Sequence, residues 1–93
     1  MANTLPIQKH VVKAFDKDNN FIGYVRKVYE NPTTVITYID DNFAYTFNKR
    51  RAIAIKRSAG VSVKCDIRKG CEEPILCYTK AEGITFEMVL EGE

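Results

Sequence analysis

Cys65, Cys71 and Cys77, the single histidine His10 and the adjacent acids Asp40-Asp41 are the side chains whose types could do chemistry. The cysteines are spaced C-x5-C-x5-C. Zinc ligands usually come as C-x2–4-C pairs, and His10 lies far upstream of all three thiols, so no metal site is expected. A nucleophilic cysteine needs a base beside it, and His10 is the one imidazole able to serve; it is read as a surface residue. Asp40-Asp41 has the form of an acid pair, but adjacent acids after an apolar run more often close a turn. Asp16, Asp18 and Asn20 match the first, third and fifth positions of a calcium loop. Phe21 then stands where that loop needs Gly and Lys27 where it needs Glu, so the segment reads as a turn. No phosphate-binding glycine loop, G-x-S-x-G or H-E-x-x-H run is present. The expectation is a chain that is not an enzyme and uses no cofactor and no metal.

Those residues must be held by something. The 93-residue chain is 45% hydrophobic and 28% charged, with five Tyr, five Phe and no Trp. That composition predicts one soluble domain spanning 1–93, without disorder. No apolar run nears the ~20 residues of a membrane helix. The start, Met1-Ala-Asn-Thr-Leu-Pro6, has none of the features of a signal peptide, and the odd cysteine count reads as reduced thiols, so a cytoplasmic location is expected.

Strands are predicted over Ile7–Phe15, Phe21–Val28 and Thr34–Ile39, joined by polar turns at Asp16–Asn20 and around Pro32. Asn48 is a good N-cap for a helix running to about Ala59, with Gly60 placed to end it in the left-handed conformation. Ala52, Ile55 and Ala59 fall on one arc and predict the buried face. Val61–Arg68 alternates apolar and polar residues as a strand with Val61, Val63, Cys65 and Ile67 inward. Strands over Pro74–Thr79 and from Ile84 complete the pattern. A hairpin symmetric about Cys71 would set Cys65 opposite Cys77 and leave Cys71 as the exposed, reactive thiol. The predicted fold is α+β: an antiparallel sheet of about five or six strands with one helix (about 48–59) on one face.

The stretch Asp41…Ala44-x-x-Phe47-Asn48-x-x-x-Ala52, following a turn-linked strand pair, resembles small α+β proteins carried by bacteriophages and mobile elements. The likeness covers residues 11–59. It implies that Ala44 and Phe47 fill a corner, that Asn48 caps the helix and that Ala52 faces the sheet. It implies no catalytic residues. Many such proteins bind host machinery, and some inhibit bacterial defence systems. Here Lys49-Arg50-Arg51 occupies the first helical turn, where those domains often place Glu.

Charge is strongly segregated behind a net of only +2. Residues 49–69 hold eight cations against Asp66 alone, whereas residues 81–93 hold four Glu and no base. On a helical wheel Lys49, Arg50, Lys56 and Arg57 share an arc of about 120° centred on Ile53. Three cations in a first turn oppose the helix dipole, at roughly 0.3–1 kcal/mol each, so stability alone does not favour them there. An isoleucine framed by cations suits an acidic, partly apolar partner. The expected function is therefore a small binding protein that occludes a surface of a host protein or nucleoprotein through Lys49, Arg50, Ile53, Lys56 and Arg57. The bland alternative is a solvated helix face, with Ile53 tucked into the sheet edge. A nucleic-acid-binding module using the same basic helix, with tyrosines and Phe43 as stacking surfaces, is a second reading. A structural homo-oligomer, for example a homodimer pairing final edge strands, is a third.

Overall fold

A computed structural model describes residues 8–69 and 75–92, together with the side chains of all of these except 69 and 75–79. Seven strands and one helix follow in the order β1 (Lys9–Phe15), β2 (Phe21–Glu30), β3 (Val35–Asp40), β4 (Phe47–Asn48), α1 (Lys49–Gly60), β5 (Lys64–Lys69), β6 (Ile75–Lys80) and β7 (Thr85–Leu90). The main sheet runs β7-β1-β2-β3-β5-β6. The two-residue β4 pairs with Lys9 and His10 of β1. Because His10 also pairs with Leu90 of β7, β4 lies on the same edge of β1 as β2, along the stretch that β2 does not reach. The α+β fold with a largely antiparallel sheet and one helix is as predicted.

One pair departs from it: β3 and β5 run parallel, from Ile36 opposite Lys64 to Asp40 opposite Arg68. Parallel neighbours need a crossover, and the chain from Asp41 through α1 to Val63 supplies it. Such a pairing joins distant segments and leaves no mark on the period of either strand.

Two clusters make up the core on the helix side. Val12, Val25, Ala52 and Ile55 form one, with Val28, Phe47, Phe86 and Met88 packed against it. Ala14, Ile39, Cys65 and Ile67 form the other. Burying each valine or isoleucine contributes roughly 1.5–3 kcal/mol. Gly23 has φ +148°, and a Cβ there would lie 2.7 Å from Ile39 Cγ2, so only glycine lets β2 approach β3 this closely.

Several local expectations need correction. Val61 and Val63 are 64% and 55% exposed, and β5 begins only at Lys64. The helix continues through Gly60, and Val61, at φ −104°, is its C-cap; Gly60 is not left-handed. Val61 is thus a helix terminus and not a strand residue. His10, expected at the surface, is buried between β4 and β7, and its Nδ1 has no hydrogen-bond partner among the described residues. Ala44 is exposed and fills no corner; Phe47 and Ala52 do pack as the resemblance implied. The β5–β6 register is two residues off the symmetric hairpin. Cys65 faces Thr79 and Cys77 faces Ile67. Cys71 lies outside the described residues.

Candidate functional site

The first candidates to place are those with chemistry. Cys65 is fully buried, and burial pushes its thiol up to about 11, so it stays protonated at neutral pH. His10 on β1 and Cys65 on β5 are separated by β2 and β3. Three inter-strand spacings amount to roughly 14 Å, too far for a Cys–His pair. Among the described residues no three His, Cys, Asp or Glu side chains come together as metal ligands. Asp40 behaves as a turn residue, its Oδ1 accepting from the Asn42 N–H at 2.9 Å. Asp16 does the same at the first hairpin. Its carboxylate accepts from the backbone N–H groups of Asn20 and Asp18, both at 2.9 Å. The Asn20 bond above all holds the Asp16 carboxyl below its ordinary value.

The basic stripe is built by α1. Asn48 ends β4 in extended conformation, and its Oδ1 accepts from the Arg51 N–H at 2.8 Å, which starts the helix. Ala52, Ile55 and Ala59 are the buried residues of α1 and face the sheet. At 100° per residue this turns Lys49, Arg50, Ile53, Lys56 and Arg57 outward. All five are exposed, Ile53 by 40%, so Ile53 is not tucked into the sheet edge.

Ile53, Lys56 and Arg57 line one open depression of about 540 Å³ with Gly60, Val61 and Met88. Lys49 and Arg50 stand one turn earlier on the same side and do not line it. Arg51 is on the opposite flank of α1, where it lines a smaller depression of about 220 Å³ with Val28 and Glu30. Sequence reasoning missed Val61 and Met88. An apolar residue directly after the last helical glycine was the available signal for Val61. Met88 becomes a wall only because β7 pairs with β1 beneath the helix.

The other face of the sheet holds a second group of aromatic and cationic side chains. Lys13 pairs with Tyr24, Lys27 with Tyr38, and Tyr29 with Ile36. Since Val12, Val25 and Val28 point to the helix side, these side chains point away from it. The Arg26 guanidinium and the Lys27 ammonium lie 5.5 and 5.0 Å from the centre of the Tyr38 ring. Phe15, Phe21 and Tyr24 stack edge-to-face at 6.0 and 5.1 Å. Asp66, on β5 beside Tyr38, is buried, and among the described residues neither carboxylate oxygen is hydrogen-bonded. Burial raises its carboxyl above the usual range, with Arg26 opposing.

Comparison with protein-family models, with curated proteins and with solved structures finds no match to this chain.

Proposed function

We propose that this chain is a small, non-enzymatic binding protein. It covers an acidic, partly apolar surface of a partner protein or nucleoprotein through Lys49, Arg50, Ile53, Lys56 and Arg57. One observation carries the reading: Ile53 is 40% exposed and shares an open depression with Met88 and Val61, rimmed by Lys56 and Arg57. An apolar floor with a charged rim is the layout in which a few interface residues dominate affinity. The cations carry a cost in the free chain, because the first helical turn holds no acid to offset its dipole. The resemblance to phage and mobile-element proteins supplies a setting, in which such a chain blocks a host component, for instance one of a defence system.

Capture from bacterial lysate tests this with the wild type, the Arg50→Glu/Lys56→Glu double variant and Ile53→Asp, each with and without nuclease. Partner bands should survive nuclease and disappear with both variants. Bands that vanish with nuclease, or that all variants retain, would overturn the reading. Unfolding does not confuse the result. Arg50→Glu alone should raise stability by about 0.3–1 kcal/mol in a denaturant melt, since it places an acid at the positive helix end.

A further inference from the structure

Face and charge together single out the side of the sheet that α1 leaves open. Along β2 that side presents Phe21 and Tyr24, then the Arg26/Lys27 pair, then Tyr29, so that cations separate the exposed rings of Phe21 and Tyr29 over about 26 Å of strand. Phe21 and Tyr29 are 45% and 51% exposed. Across the strands Tyr29 leads through Ile36 to Lys64 and Lys80, which are paired in register and both exposed. The acids of this face between β2 and β5, Asp40 and Asp66, are both buried. Glu30 alternates to the helix side, and Glu87 sits opposite Lys13 at the far edge. Lys13 is therefore not counted as a ligand.

The geometry points to this open face as a binding surface for single-stranded nucleic acid, with bases stacking on Phe21 and Tyr29 and phosphates held by Lys27, Lys64 and Lys80. Exposed rings spaced by cations match a ligand whose flat apolar groups alternate with negative charges. A duplex offers no free base to such rings. An acidic protein would satisfy the cations and leave the rings without a matching partner. Because stacking reads no base edge, the preference should be for single strands over duplexes and not for one sequence. This surface lies on the other side of the sheet from the α1 stripe and stands or falls separately from it.

Fluorescence anisotropy with labelled oligouridylate and oligothymidylate, against a duplex of equal length, tests the assignment. The wild type should bind both single strands more tightly than the duplex. With three phosphates neutralised, affinity should fall about 20-fold between roughly 50 and 200 mM salt. Tyr29→Ala should weaken binding about five- to 150-fold while Tyr29→Phe keeps it. Lys27→Glu/Lys64→Glu should weaken it at least about tenfold, and Arg50→Glu/Lys56→Glu should leave it unchanged. Circular-dichroism melts confirm folding, and Tyr29 and Lys27 are exposed enough to change without unfolding the chain. Absent saturable binding, equal binding of duplex, or full competition by polyglutamate would overturn the proposal. So would loss of binding in the α1 variant with retention in Tyr29→Ala. None of these outcomes bears on nuclease-resistant capture by α1.

Discussion

Val12, Ala14, Gly23 and Val25 occupy one face of β1 and β2, while Lys13, Phe15, Tyr24 and Lys27 occupy the other. The first set is small and apolar, and α1 lies against it through Ala52, Ile55 and Ala59. Small residues on both sides allow close approach, so contact and buried area stabilise that face. The second set is aromatic and cationic, partly exposed, and held by ring–ring and cation–ring contacts. Such contacts are worth about 0.5–1.5 kcal/mol each, well below the burial on the other side. Most of the buried apolar area therefore lies on the helix side, while the other face sets exposed rings and cations around the buried Val11, Asp40 and Asp66. That difference is why large rings do not by themselves mark the core of this chain.

Substitution of Gly23 should show the contrast most strongly. Alanine at this position meets Ile39 Cγ2 at 2.7 Å and the Asp40 carbonyl oxygen at 3.0 Å, at a backbone φ that side chains rarely adopt. Ile39 is itself buried and has little room to move. Gly23→Ala should cost about 3 kcal/mol or more, read as a lower urea midpoint. Alanine at Tyr24, one residue away on the open face, should cost far less. Equal losses would mean that both faces carry stability alike.

Phe47→Ala comes next. Phe47 is half-buried against Val12, Val25, Ala52 and Ile55, where β4 turns into α1. A fully buried Phe→Ala change costs about 3–5 kcal/mol, so about 2–3 kcal/mol is expected here, with a thermal midpoint lower by roughly 8–24 °C. A shift of a degree or two would show that α1 does not depend on this corner.

Local features were the legible ones. The arc of Ala52, Ile55 and Ala59, the Asn48 cap, the Asp16 and Asp40 turns and most strands follow from periods and turn chemistry that a few residues encode. The stripe of cations around Ile53 was legible for the same reason, because a helix of known phase fixes which residues share a side. What was hidden depends on pairing between distant segments. The parallel β3–β5 pair, the burial of His10 under β4 and the Met88 wall of the depression are all of this kind. The open face was hidden by a different cause. Composition shows that rings and cations are present but not that they share a face, and the irregularity in the β2–β3 pairing between Val25 and Lys27 breaks the alternation that would have grouped them. Val61 and Val63 misled in the opposite direction, since they alternate like strand residues while a helix still occupies Gly60.

Asp66→Asn should give the smallest effect, and it probes the open face alone. Asp66 is faced by Tyr38 and Arg26 from β3 and β2, and by Lys64 and Arg68 on its own strand; the register also aligns it with Tyr78 of β6. Burial raises its carboxyl above the ordinary 3.8, and Arg26 only partly offsets that. The folded chain then holds the proton more tightly than the unfolded one. The stabilising contribution of the protonated group is complete below the unfolded value and is lost as pH rises through the folded one. Asparagine cannot ionise, so urea unfolding of the wild type relative to Asp66→Asn isolates this group, with His10 and the other carboxyls cancelling. The wild type should lose ground to the variant as pH rises above the unfolded carboxylate value of about 4. If it gains ground instead, Arg26 holds Asp66 as an ion pair. The cations of the open face would then be engaged in stability in the same way as the residues under the helix.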